Sequence, residues 1–441
     1  MRNFFIDRVQ FLAIAAKVSQ VSSGLVLILI VSRYFDLTDQ GYIYTFTSIA
    51  AVQVLFEMGL VTALTQLAAH EMAQLRWTEG VPQGPATPMA RVRYLVRFTS
   101  LWFSAAGICL FVGLAWAGLA YFTLTSNGQI SGHVTRSWIA LVSAVGVGLL
   151  VSAFLGLLEG LGRVSRISLV RLMQFGVGAV IGLVAAANGA GLMTLAFQAW
   201  SSVIVGALCL WLFFRRGFRA LWGVSINGPM PSWRRDILPF QARIAISWIS
   251  GYLIYQLMIP WVFATAGPEA AGKLGMSLQI LTAISSIAIV VVTSKIPDLV
   301  RLLVMEQLSE LASRFRNLGG LSLALAGGGA ACVIVSVAIA SSKGLSIAGR
   351  LLSVLDLSIL AVGVFASHIV YIQAVGLRMR KAEPLAVVSA VNALATVGLL
   401  WLLVPKWGGT GAVLAFCFTQ VFFSLPAASL IYRRHVSRLP F

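Results

Sequence analysis

Apolar stretches of around 20 residues recur along the whole chain, and that recurrence leaves few folds open. In hydrocarbon every backbone N–H and C=O must be bonded within the protein, so only helices and closed barrels span a bilayer. Barrel strands would be about half as long, with apolar and polar residues alternating. The stretches fall near 11–34, 42–67, 97–122, 137–158, 169–187, 192–214, 243–264, 274–294, 318–340, 353–376, 385–404 and 411–432. Apolar residues make up 59% of the 441 positions and charged ones 10%, whereas a soluble domain carries about a quarter charged residues. The reading is an all-α polytopic membrane protein of twelve helices, with no hydrophilic stretch long enough for a second soluble domain. Arg2 and Arg8 precede the first apolar stretch, but Leu25 to Phe35 offers no small-x-small cleavage pattern. A retained first helix is expected rather than a signal peptide.

The net charge of +18 reflects topology. The outer loops hold Arg33, Arg136, Lys273, Lys343, Arg350 and Lys406, leaving 26 of the 32 Lys and Arg on the inner side. This positive-inside bias orients both termini to the cytoplasm. The basic excess then faces anionic lipid, and no nucleic-acid partner is expected. Cys109, Cys209, Cys332 and Cys417 lie in four different apolar stretches without metal-ligand spacing. They are expected to be small packing residues. No nucleotide-binding loop, nucleophile triad or metal cluster is visible, so the chain reads as a non-enzyme.

The chain reads as a duplicated unit of six helices. Asn188-Gly189-Ala190-Gly191 is followed by Leu195-Ala196-Phe197, and Gly408-Gly409-Thr410-Gly411 by Leu414-Ala415-Phe416. The inner loop Gly160 to Arg166 corresponds to Gly376 to Lys381, and Asp39-Gln40-Gly41 is echoed by Pro268 to Gly272. The expected organisation is a bundle over 1–214, a cytoplasmic linker over 215–242 and a bundle over 243–441. An even number of helices per half makes the repeats parallel, and a substrate cavity between them near mid-membrane is expected. Leu67 to Trp77 and Lys295 to Phe315 read either as amphipathic surface helices or as extensions of segments two and eight.

Two full charges sit well inside the apolar stretches, Lys17 and Glu57. Lys17 lies 17 residues from Tyr34 and Glu57 15 residues from Tyr42. At about 1.5 Å per helical residue, their depths differ by about 3 Å. A facing pair of opposite charges is expected. Its functional reading is a cation for a phosphate or acidic sugar, and a carboxylate for a coupling H+ or Na+. Its structural reading is a buried ion pair that fixes helix packing. Gln20 shares a face with Lys17, and Gln53 stands four residues before Glu57. Arg171, Gln174, Arg243 and Gln256 complete the candidate substrate-binding set, with snorkelling to the interface as the alternative for the arginines. His368 and the remaining uncharged polar residues are expected to be mostly helix–helix hydrogen bonds. Pro260 and Pro426 are expected to kink their helices.

The first 75 positions resemble the start of a bacterial polysaccharide transporter of the MOP flippase superfamily, O-antigen (Wzx-type) branch. Lys17-x-Ser19, Ser32-Arg33-Tyr34-Phe35, Asp39-Gln40-Gly41-Tyr42 and Phe56-Glu57-Met58-Gly59-Leu60-x-Thr62-Ala63 carry the resemblance. Thr38 departs from the proline common in that loop. The resemblance implies a flippase for undecaprenyl-pyrophosphate-linked O-antigen or capsule units, working by alternating access. Its candidate partners are the lipid-linked glycan, the bilayer, a polysaccharide polymerase and a chain-length regulator. No cofactor is implied beyond the coupling ion. Two alternatives stand beside it: a cation-coupled multidrug or small-metabolite exporter of the same fold, and a membrane-embedded glycan polymerase or glycosyltransferase. The last is disfavoured by short outer loops.

Overall fold

The computed structural model describes the backbone except residues 1–7, 58, 127, 223–237, 380–383 and 437–441; side chains at 8–11, 13, 14, 222, 238–244 and 436 also lie outside the described set. In chain order the first elements are α1 (Arg8–Tyr34), α2 (Leu37–Ala50), α3 (Gln53–Glu57), α4 (Leu60–Met72), β1 (Arg76–Thr78), β2 (Val81–Gln83), α5 (Ala86–Thr125), α6 (Gly132–Gly160) and α7 (Val164–Ala187). There follow α8 (Met193–Trp222), α9 (Leu238–Tyr255), α10 (Met258–Thr293), α11 (Ile296–Val304), α12 (Leu308–Ser342), α13 (Val354–Arg378), α14 (Ala386–Phe418), a π turn (Thr419–Ser424) and α15 (Leu425–Val436).

Among the described residues nine helical stretches are long and apolar enough to cross a bilayer, or ten if the bent pair Leu37–Glu57 and Leu60–Met72 is one span. Two stretches exceed a single crossing: Ala245–Val304 has 60 residues and Ala386–His435 has 50. At helical rise these would run about 90 and 75 Å against a hydrocarbon core of about 30 Å. Each holds a glycine off the helical backbone, Gly267 at φ 87° and Gly408 at φ 53°. These glycines fall in the gaps that the apolar pattern leaves between its seventh and eighth and its eleventh and twelfth segments.

Three local features decide or refine the sequence reading. The second apolar stretch is not one rod: its two parts are bent by 42° around Gly59, which takes φ 72°. Leu67 to Trp77 forms no separate amphipathic helix, because α4 continues to Met72 and Trp77 enters an antiparallel hairpin pairing Arg76 with Gln83 and Thr78 with Val81. The Lys295–Phe315 stretch is divided between α11, which buries Leu299 and Leu302, and the start of α12, whose Leu311 joins the same cluster. Pro426 stands just after the π turn, so the carbonyl its missing N–H leaves free is absorbed by a locally widened helix. Pro260 sits in the first turn of α10, where a missing N–H costs little.

The chain divides into two compact units, Met1–Ile30 with Ile49–Ile249, and Val31–Ser48 with Ser250–Phe441. The sequence boundaries differ in two ways. Val31–Ser48 packs with the second unit, and α8 and α9 extend into the expected linker from both sides. In the first unit, α5 and α6 cross at paired glycines. A Cβ on Gly107 would lie 2.5 Å from the Gly146 carbonyl oxygen, and one on Gly146 2.7 Å from that of Gly107. Small residues of this kind let helix backbones touch in a membrane.

In the second unit, the start of α2 is held by its backbone. A Cβ on Gly41 would lie 2.0 Å from the Pro268 carbonyl oxygen. Beside it Gln40, fully buried, donates to the Arg350 carbonyl at 2.8 Å and accepts from the Arg350 guanidinium at 3.2 Å. That guanidinium also donates to the Phe35 carbonyl at 2.7 Å. Asp39-Gln40-Gly41 and Pro268 to Gly272, matched in sequence, are thus helical stretches of α2 and α10 in contact.

Candidate functional site

Polar groups at membrane depth in the first unit begin with α1, of whose apolar window only 17% is buried. Helices in lipid lack the hydrophobic drive to associate that they have in water, so a weakly packed helix keeps its polar side chains accessible. Lys17 is exposed, and its Nζ lies 3.3 Å from Oε1 of Gln20, one turn along the same face. Gln198 of α8 donates to the Ser23 hydroxyl at 3.3 Å. Glu57 is half-buried and ends α3, immediately before the bend at Gly59, with Gln53 one turn earlier.

The expected facing pair is not formed: among the described residues, no ion pair joins Lys17 to Glu57 within 4.0 Å. Counting depth along straight helices fails because α2 to α4 is interrupted twice, at residues 51–52 and around Gly59. Among the described residues Lys17 is left with a neutral amide and no carboxylate partner.

Arg171 and Gln174 are both engaged. Arg171 donates to Oε2 of Glu159 at 2.8 Å, joining α7 to α6. The Gln174 amide donates to the Ser202 carbonyl at 3.0 Å, and the Ser202 hydroxyl donates back to the Gln174 carbonyl at 2.9 Å. Glu159 gave no signal in sequence because it ends an apolar run beside an inner loop, where a solvated carboxylate is ordinary. In the second unit, Oε1 of Gln256 accepts from Ser48 at 3.1 Å, at the break between α9 and α10. The Arg243 side chain lies outside the described residues. No group of three or more His, Cys, Asp or Glu able to hold a metal ion occurs among the described residues.

His368 is fully accounted for. Its Nε2 lies 2.9 Å from the Ser322 hydroxyl, which itself donates to the Ala288 carbonyl at 2.9 Å. Ser322 must therefore accept from Nε2–H. The Ser285 hydroxyl lies 2.7 Å from Nδ1, so both ring nitrogens have a partner. Interhelical bonds of this kind contribute about 0.6 kcal/mol each and at most about 1.7. His368→Ala is expected to lower the unfolding temperature in detergent while leaving the pH profile of transport in place. A shifted profile would make the ring a proton carrier instead.

This set of long apolar helices, with polar residues placed singly along them, defines a polytopic helical membrane architecture. Solved structures place it in a known fold. A MATE multidrug transporter, DinF-BH, solved as a ligand complex, aligns at 15% identity over 99% of this chain and 98% of its own, with a TM-score of 0.63. An inward-facing multidrug resistance MATE family transporter of the MOP superfamily aligns at 13% identity over 96% and 100%, with a TM-score of 0.58. A MOP superfamily transporter from Pyrococcus furiosus, described as having a binding pocket of reversed polarity that suggests a different function, aligns at 14% identity over 98% and 95%, with a TM-score of 0.57. Comparison of the sequence with protein-family models and with curated proteins gives no match. The fold of the chain is that of the MOP superfamily transporters.

Proposed function

We propose that the chain is a flippase for lipid-linked oligosaccharides. It moves undecaprenyl-pyrophosphate-linked O-antigen or capsule units from the cytoplasmic to the periplasmic leaflet of the bacterial inner membrane, with both termini cytoplasmic. One observation carries this reading: Lys17 is a membrane-depth cation whose hydrogen-bond partner is the neutral Gln20, with no carboxylate partner among the described residues. A fixed, uncompensated cation in a low dielectric attracts phosphate and repels cationic drugs. Gln20 and Gln53 supply neutral hydrogen-bonding groups for sugar hydroxyls, and Arg243 a second cation. Glu57, without an ion-pair partner among the described residues, is the coupling site for H+ or Na+. Arg171 and Gln174, already bonded, position helices in this scheme. A polysaccharide polymerase and a chain-length regulator are the protein partners that this role calls for.

The second reading is a cation-coupled multidrug exporter, favoured by the multidrug activity stated for two of the structural neighbours. One fold hosts both chemistries, so the site decides. Proteoliposomes carrying a polyprenyl-diphosphate-linked oligosaccharide separate the two. The flippase reading expects lectin or glycosidase access to the sugar to appear on the opposite face only when the protein is present. Dye efflux without any movement of the lipid-linked sugar would overturn it.

A further inference from the structure

The first unit carries a second basic feature where the β1–β2 hairpin meets the α6–α7 loop and the end of α8. The hairpin turn is tight: Glu79 and Gly80 both take positive φ, 50° and 82°. Trp77 anchors it by donating from its indole N–H to the Leu161 carbonyl at 2.8 Å. The backbone of Gly217 closes against the other side, where an added Cβ would lie 3.0 Å from the Gly80 carbonyl oxygen. These contacts border an open cavity of about 800 Å³ lined by Arg163, Arg166, Arg215 and Arg216, with Glu79 its one acid among the described residues.

The positive-inside bias explains arginines at this end of the helices but not their arrangement. Elsewhere basic residues at loop ends hold carboxylates: Arg91 with Glu71 at 3.2 Å, Arg171 with Glu159 at 2.8 Å, and Arg314 with Glu310. None of the four cavity arginines has a carboxylate within 4.0 Å among the described residues. Arg163 is also fixed in place, its guanidinium carbon 4.1 Å from the Trp77 ring centroid, with a buried Nε that meets no acceptor. Its pKa is lowered first by burial and then by the neighbouring Arg166 charge. The amides of residues 164–166 add to the field, because the first turn of α7 precedes its first intrahelical bond, from Ile167 to the Arg163 carbonyl. The rim has a different character. Leu169, Leu212 and Phe213 line the same cavity and are 37%, 50% and 37% exposed, so an anion seated on the arginines would have apolar side chains beside it.

We propose that this cavity binds the phosphate or diphosphate headgroup of an anionic amphiphile, whose hydrocarbon chain runs along Leu169, Leu212 and Phe213. Guanidinium groups suit such headgroups because their planar fork matches phosphate oxygens. The site does not require that the transported molecule be a polyprenyl diphosphate. A bilayer phospholipid and a prenyl diphosphate share the recognised chemistry.

The test uses full-length protein in detergent, with binding read by native mass spectrometry against farnesyl diphosphate, phosphatidylglycerol, phosphatidylcholine and inorganic pyrophosphate. Farnesyl diphosphate or phosphatidylglycerol is expected to bind in preference to phosphatidylcholine, with inorganic pyrophosphate about tenfold weaker for want of a chain. Whichever of the first two binds tighter identifies the source. Arg163→Gln with Arg166→Gln, and separately Arg215→Gln with Arg216→Gln, are each expected to weaken binding about tenfold or more. Arg314→Gln, in the second unit, is expected to leave it unchanged. The two double variants lie on different elements, so misfolding of one leaves the other decisive. Undiminished binding by a folded double variant, or pyrophosphate bound as tightly as farnesyl diphosphate, overturns the proposal. Binding is read without transport, so a protein that flips no glycolipid can still pass, and one that does can still fail.

Discussion

Gly41→Val is expected to abolish most of the folded protein recovered in detergent. The nearest atom to a new Cβ would be the Pro268 carbonyl oxygen at 2.0 Å, followed by two further Pro268 backbone atoms at 2.5 and 2.7 Å. A carbon and an oxygen rest about 3.5 Å apart, so the two helices must separate by more than an ångström, and overpacking alone costs about 1–3 kcal/mol. Separation also strains the bonds between buried Gln40 and Arg350, and an unsatisfied buried amide adds about 1–3 kcal/mol. The sum approaches half the stability of a typical domain, about 5–15 kcal/mol. Size-exclusion recovery and thermal unfolding measure it. Gly113→Ala is the matched control: nothing lies within 4 Å of its Cβ, and alanine favours a helix over glycine by about 0.5–1 kcal/mol. Equal recovery of the Gly41 variant and the control would refute the close approach.

Lys17→Ala is expected to reduce flipping of a lipid-linked oligosaccharide roughly ten- to hundredfold. A charge-assisted hydrogen bond to phosphate is worth about 1.5–3 kcal/mol, and each 1.36 kcal/mol in a barrier is about tenfold in rate. The fold should survive, because Lys17 is exposed and holds only Gln20 on its own helix. Lys17→Arg restores the charge and is expected to recover much of the activity. Glu57→Ala made alongside Lys17→Ala decides between function and packing. A structural pair predicts rescue in the double variant, whereas two separate roles predict deeper loss. Normal transport by correctly folded Lys17→Ala would remove the cation from the mechanism.

The sequence made the membrane class and the helical spans legible because hydrocarbon forces a long apolar run wherever the chain crosses. The turns between spans were legible too, since glycine clusters mark left-handed backbone, as at Gly191 and Gly408. The hairpin after α4 left a weaker signal: Glu79-Gly80 between Thr78 and Val81 resembles a two-residue hairpin turn, but β1 and β2 have three residues each. The facing of Lys17 and Glu57 could not be read, because depth along a sequence says nothing about rotation, and a bend resets both. Partners distant in sequence were invisible for a related reason. Glu159 with Arg171, and Ser285 and Ser322 with His368, become neighbours only through helix packing.

The placement of Val31–Ser48 with the second unit has a corollary. The backbone passes from one unit to the other not once but three times, at residues 30–31, 48–49 and 249–250. A chain cut at 249–250 would therefore carry part of the second unit on its amino-terminal piece, and the carboxy-terminal piece would lack Val31–Ser48 of its own unit.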